Sequence, residues 1–269
     1  MRKAFRIIII ALLITAGSIG SAQAQRRAIR YLANYENEPY HFGFLIGTTN
    51  NTFTVKTVEN YQNIALGANQ WEHIGYNPDA TENLYVYNVE TKADLLSAQG
   101  FVVGIIGSKR LGKYFDLRLI PSLNFGNRKL VYTIAAKPKD GGNYVIRKDS
   151  CDLKHTVFVD FPLQIKYRSK RLNNIGAYLL GGVNPKLDLT KSGKSKDGED
   201  EPNALLPKRF DCALEIGAGF DIYNQWFKMG IELKMSYGLL DVVKNEALIY
   251  TAPIESLRNK MFQVSVMFE

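Results

Sequence analysis

The residues that could do chemistry are few, and their spacing decides most of them. Gly107-Ser108-Lys109-Arg110-Leu111-Gly112-Lys113 spells the G-x-x-x-x-G-K of a phosphate-cradling loop. Such a loop needs a Ser or Thr next, to hold magnesium, and a helix whose N-terminus faces the phosphates. Tyr114 stands there instead, and strand-like alternation flanks the segment, which therefore reads as a basic β-turn. His155 lies near Ser150 and Asp152, the residue types of a hydrolase. Nucleophilic catalysis needs a base within reach of the hydroxyl and a third group to orient it. Proximity along a loop does not supply that, and His155 reads as a surface histidine at a strand start. Gly217 and Gly219 begin a dinucleotide fingerprint, but Ile222 takes the place of its third glycine. They read as inward glycines that leave room for bulky neighbours or allow the strand to bend. His41, His73 and His155 are far apart, and Cys151 and Cys212 form no close pair, so no metal site is expected. A disulfide needs Cα atoms within about 7 Å. A strand separates the two cysteines, and free thiols are expected. No cofactor, no small-molecule substrate and no enzymatic activity are expected.

The elements that must position these residues show themselves by alternation. Over 156–168, Val157, Val159, Phe161, Leu163, Ile165 and Tyr167 face one way, and Asp160, Gln164, Lys166 and Arg168 the other. Period-2 alternation of this length is a strand with one apolar and one polar face. The stretch 210–223 repeats it, with Leu214, Ile216 and Phe220 against Asp211, Glu215 and Asp221. So do 227–237, with Ile231 and Leu233 against Glu232 and Lys234, and the last strand, with Phe262, Val264, Val266 and Phe268 against Gln263 and Ser265. Further strands are expected at 41–49, 100–108, 114–124 and 174–189, and 127–136 prolongs the third beyond the main sheet.

The connections alternate between long and short. Short turns fall near 109–113, 169–173 and 224–225, and long loops near 50–99, 125–154, 190–206 and 241–259. This describes an eight-stranded antiparallel up-and-down transmembrane β-barrel, with short periplasmic turns and long extracellular loops. A soluble lipocalin-like binder shows the same alternation with its faces exchanged. Charges of both signs on the polar faces (Asp160, Lys166, Glu215, Lys228, Glu232, Lys234) favour the membrane form, since an apolar ligand cavity would not tolerate them. So do the aromatics near strand ends, Tyr114, Tyr167, Trp226, Phe227 and Phe268. Eight strands enclose a lumen that side chains fill. The protein is then expected to work at its rims, not as a pore.

Composition agrees. The 269 residues are 46% apolar, 12% aromatic and 22% charged, which excludes a disordered chain. The mean hydropathy of -0.16 argues against a helical membrane protein. Met1 to Ala24 reads as a secretory signal peptide, with basic Arg2, Lys3 and Arg6, an apolar core from Ile7 to Ala16, and the cleavage site Ala22-Gln23-Ala24. Residues 1–24 are thus the leader, 25–39 a periplasmic segment and 40–269 the barrel. Without the three leader cations, the net charge falls from +8 to +5. That is no nucleic-acid footprint, and an exported protein would meet none.

Two surface features remain. The loop 191–202 (KSGKSKDGEDEP) is a charge block that reads as solvated. The turns SKRLGK (108–113) and SKRLNN (169–174) repeat one tetrapeptide on the same predicted rim. Lys109, Arg110, Lys170 and Arg171 form a candidate docking patch for an acidic partner.

At these residues the chain resembles a known family. The run VDFPLQIKYRSKRLNNIGAYLLGGVNPKLDL (159–189) resembles the PorT/SprT family of the type IX secretion and gliding machinery, within the wider group of PorT-like outer-membrane barrels. HFGFLIGTTNNTF (41–53), GKYFDLRLIPSLNFGNRKLVY (112–132) and LEIGAGFDIY (214–223) do so too. FPLQIKYRSKRLNN is the most specific part. The resemblance implies a non-enzymatic outer-membrane component needed for cargo export. Its partners would be outer-membrane lipid and other secretion components. A barrel hydrolase acting on lipid or peptide and the lipocalin-like binder stay open as alternatives.

Overall fold

A computed structural model of the protein describes residues 29–57, 64–65, 84–93, 99–138, 145–189, 208–243 and 254–269. Twelve strands run β1 Tyr40–Thr57, β2 Ile64–Ala65, β3 Leu84–Ala93, β4 Gln99–Arg110, β5 Phe115–Leu119, β6 Ser122–Pro138, β7 Val145–Asp160, β8 Leu163–Arg168, β9 Ile175–Asp188, β10 Phe210–Tyr223, β11 Lys228–Gly238 and β12 Ile254–Phe268. Among the described residues there is no α-helix, only a 3-10 turn at Tyr35–Asn37, and no helix is long and apolar enough to cross a membrane. The expected leader 1–24 and the charge block 191–202 lie outside the described residues.

Among the described residues every pairing is antiparallel. β1 pairs with β12 and β4, β12 with β11, β11 with β10, and β10 with β9. β4 pairs with β5 over 107–110 and with β6 over 100–104. β9 pairs with β7 over 186–188 and with β8 over 178–183. β5 and β6 therefore continue one another, as do β7 and β8. The expected unbroken strands at 114–124 and 156–168 are interrupted, at Ile120-Pro121 and at Phe161-Pro162. Proline has no N–H to donate to a ladder. The first break is tied to the second, Ile120 N–H donating to Pro162 O at 3.2 Å, and the second to β9, Phe161 N–H donating to Pro185 O at 3.0 Å. Inward and outward positions keep their alternation across the second break.

The three short connections, at 111–114, 169–174 and 224–227, lie at one end of the sheet with the described N-terminal segment and Glu269. At the opposite end, β6 and β7 run on together as far as Ala136 and Val145, so 127–136 does prolong its strand. The stretch 50–99, expected to be loop, contains β2 and β3, with β3 laid along β6. Its alternation, LYVYNVETKA, is too short and too mixed to stand out.

The faces are unambiguous. Phe42 is 74% exposed and Ile105 67%, whereas Glu232 is 0% and Arg118 1% exposed. All six charges read from the polar faces are buried. A lipocalin-like binder needs the reverse, an apolar interior and a polar exterior, so that reading falls. An outward Lys or Arg at mid-bilayer would cost about 2–4 kcal/mol, which is why the period-2 pattern sends charge inward.

Candidate functional site

The interior is built from strands that are distant in the sheet. Arg118 on β5 reaches Glu232 on β11 at 3.0 Å, and Tyr178 on β9 donates its hydroxyl to the same carboxylate at 3.0 Å. Glu215 on β10 accepts from Gln164 at 2.6 Å and Asn184 at 2.8 Å, and pairs with Lys234 at 3.2 Å. Lys166 on β8 meets Asp221 on β10 at 2.7 Å. Nearer the long-loop end, Arg128 binds Asp188 at 2.7 Å and donates to Asn259 at 2.9 Å. Its guanidinium lies between the rings of Phe53 and Phe158, at 4.9 and 4.7 Å. An apolar island of Leu45, Val102, Ile106, Ile120, Leu180 and Met267 fills space between. Ions taken from water need such partners, because an uncompensated buried charge costs several kcal/mol.

Glycines make this filling possible. A Cβ at Gly219 would stand 2.5 Å from the Tyr178 hydroxyl, and one at Gly217 3.3 Å from Leu180 Cδ1. They give room to bulky neighbours, as expected. The segment 107–113 likewise ends β4 and turns into β5, with no helix behind it.

At the short-turn rim the N-terminal segment folds back over the interior. Tyr35 donates its hydroxyl to Glu269 at 2.9 Å, stacks on His41 at 4.0 Å and meets Tyr223 edge-on at 5.9 Å. Lys228 pairs with Glu269 and sits 4.9 Å over the Tyr35 ring. Burial, with the neighbouring Glu269 carboxylate, pushes the Tyr35 phenol well above its ordinary range. Arg171 is buried over the Tyr223 ring at 3.7 Å and donates to the Tyr31 and Asn173 carbonyls and to Asn174 Oδ1. Asn174 also accepts from Tyr31 N–H at 3.0 Å and donates to Ile29 O at 2.9 Å. Arg30 closes the segment on Glu36 at 3.0 Å.

The four rim cations thus have separate fates. Arg171 is spent on the N-terminal segment. Arg110 turns toward Asp116 at 3.9 Å, while Arg168 holds the same carboxylate at 2.7 Å. Lys109 is exposed above the Tyr40 ring at 5.8 Å, and Lys170 is exposed. The clasp residues Tyr35, Asn174 and Glu269 were not legible as a site. Only Asn173-Asn174 signals a tight turn, confirmed by φ 54° at Asn173.

The hydrolase candidate lies on β7 beside a register irregularity. Gly126 and Arg128 face Thr156 and Leu153, so β7 carries one extra residue there. The side chains of Ser150, Asp152 and His155 lie outside the described residues, as does that of Cys151. Cys212 is a free thiol. No group of ligands able to hold a metal occurs among the described residues.

The profile of the outer membrane protein beta-barrel domain family matches residues 22–244. Among solved structures, the chain is similar to Ail, the attachment invasion locus protein of Yersinia pestis, in complex with the heparin analogue sucrose octasulfate. Identity there is 12% and the TM-score 0.34, over 86% of this chain and 98% of that one. It is also similar to the outer membrane protein OprG of Pseudomonas aeruginosa, at 10% identity and a TM-score of 0.34, over 84% of this chain and 95% of that one. No curated protein matches the chain.

Proposed function

We propose that this chain, which belongs to the outer membrane protein beta-barrel domain family, is a closed eight-stranded barrel serving as a non-enzymatic component of the type IX secretion machinery. With β5/β6 and β7/β8 each taken as one span, the pairings return on themselves through β9 and β10, which supports closure. The short turns face the periplasm in this reading, with the N-terminal segment across that mouth. The observation that carries it is the charge-paired interior. Arg118, Glu232 and Tyr178 join three strands across the space a diffusion pore would need open. Function is left to the rims. The type IX assignment rests on the resemblance of 159–189, whose SKRLNN turn is also the turn that clasps the N-terminal segment. Deleting the gene should abolish export of cargo while cargo synthesis continues; normal export would overturn the assignment. Purified protein in a planar bilayer should conduct no steady current, and a porin-sized conductance would refute the filled interior. Of the rim cations, exposed Lys109 suits an acidic partner. Lys109→Glu should lower secretion at unchanged barrel abundance, and equal secretion would leave it a solvated rim residue.

A further inference from the structure

On the outward face beside the second SKRL turn lies a cavity of about 460 Å³. Its floor is Ile175, Ala177 and Phe220, all outward and exposed, with Ala177 opposite Phe220 and Ile175 opposite Ile222 in the β9–β10 register. Ala177 is the reason for the notch: its neighbours on that face, Ile175, Leu179 and Phe220, are all large. The upper lip is Ser169, Lys170 and Asn173. Ser169 is fixed by two bonds to Ala177, its N–H donating to the carbonyl at 2.8 Å and its Oγ accepting from the N–H at 3.1 Å. Arg171 is turned away into the N-terminal clasp. Among the described residues, the Lys170 ammonium and the Asn173 amide have no side-chain partner.

We propose that this notch binds one anionic phospholipid of the periplasmic leaflet, its phosphate on Lys170 and Asn173 and an acyl chain over Ala177 against Ile175 and Phe220. Three observations select this ligand. The site is amphiphilic in one direction, with donors at the rim and an apolar floor continuing into the outward face that carries Leu179 and Ile216. It lies at the aromatic girdle. Tyr167, beside Leu179 in the β8–β9 register, packs with Tyr114 at 6.4 Å and Phe115 at 5.2 Å, the depth at which headgroups begin. The free group is a cation, and anionic lipid attracts a juxtamembrane lysine by about 1 kcal/mol. The assignment separates the two exposed rim lysines, Lys170 to lipid and Lys109 to a protein partner.

The leaflet rests on the orientation proposed above, but the test does not. The full mature chain is placed in nanodiscs of phosphatidylcholine with one lipid in five phosphatidylglycerol, identical on both faces. Retained lipid is counted by native mass spectrometry. Wild type should retain phosphatidylglycerol over phosphatidylcholine. Lys170→Glu should cut that retention about tenfold. Ala177→Trp, which fills the notch and leaves every charge in place, should cut it comparably. Lys109→Glu should leave it unchanged, and heat-modifiable migration on a gel should show every variant folded. Equal retention of the two lipids by wild type, or retention unaffected by Lys170→Glu, overturns the site. Retention unaffected by Ala177→Trp overturns it too, since the phosphate alone would then be bound. If Lys170→Glu sheds a co-purifying protein and keeps its phosphatidylglycerol, the surface is a protein dock and the lipid assignment fails.

Discussion

The two SKRL turns carry one tetrapeptide and use it in opposite ways. In the first, Ser108, Lys109 and Arg110 are still strand, because β4 runs to Arg110 with Asp116 opposite. The turn follows them, closed by Leu111 and Gly112 N–H groups on Phe115 O. In the second, β8 has ended at Arg168, so Ser169, Lys170 and Arg171 belong to the turn itself. Its tip is closed by reciprocal bonds between Leu172 and Ile175, at 2.8 and 3.0 Å. Two or three residues of register thus decide what the arginine can reach. Arg110 finds a carboxylate already held by Arg168. Arg171 finds the Tyr223 ring and the carbonyls of a segment far away in sequence. What a motif does here is set by where its strand stops, and the difference can be broken from either side.

The largest effect is expected from Arg171→Ala. It removes charge-assisted bonds to Tyr31, Asn173 and Asn174 and the stacking on Tyr223. Such contacts are together worth about 2 kcal/mol or more. Protease trimming of 29–39 from the folded barrel should accelerate about 30-fold, with heat-modifiable migration unchanged. A trimming rate equal to wild type would mean that the clasp holds nothing.

Next comes an exchange of tips. Asn173→Gly with Asn174→Lys writes the Gly112-Lys113 of the first turn into the second. Glycine accepts the φ of 54° freely, so backbone shape survives. What is lost is Asn174, which accepts from Tyr31 and Arg171 and donates to Ile29. Trimming should rise about tenfold, matching about 1.4 kcal/mol. Full protection would show that Arg171 alone separates the turns.

The turns also mark how far the sequence could be read. Alternation places Asp160, Lys166, Glu215, Lys228, Glu232 and Lys234 on the polar faces of their strands, because period 2 leaves a residue only two directions. It cannot say which side is buried, since exchanging the faces preserves the pattern; burial of Arg118 and exposure of Phe42 decide that. The breaks at Pro121 and Pro162 were hidden because alternation continues through them. The clasp was hidden more deeply. Tyr31 and Asn174 lie 143 positions apart, and nothing in either local pattern announces the other. Arg171 therefore looked like an exposed rim cation, equivalent to Lys170.

A smaller effect tests the clasp from its other end. Tyr35→Phe removes the hydroxyl bond to Glu269 and keeps the ring on His41. The expected loss is about 1 kcal/mol, seen as trimming roughly fivefold faster. The wild-type contact should also depend on pH. The phenol is raised in the folded protein from its ordinary 10.0, chiefly by burial. Its contribution is therefore complete below pH 10.0 and declines as pH rises above that value. Tyr35→Phe should reduce this alkaline decline; an undiminished decline in the variant would trace it to another group.

The smallest effect belongs to Arg110→Ala, and it judges the comparison. Arg110 is 3.9 Å from Asp116 Oδ1, beyond hydrogen-bond range, and Arg168 holds the other oxygen at 2.7 Å. A partly exposed, redundant ion pair is worth at most about 1 kcal/mol. Removing Arg110 leaves Asp116 paired, so barrel unfolding should shift little and trimming of 29–39 not at all. Arg110→Ala in an Arg171→Ala background should add little, because the two side chains share no hydrogen-bond or ion-pair partner. If it instead released the N-terminal segment as fully as Arg171→Ala does, register would not be what distinguishes the turns. The rim would then act as one coupled basic belt.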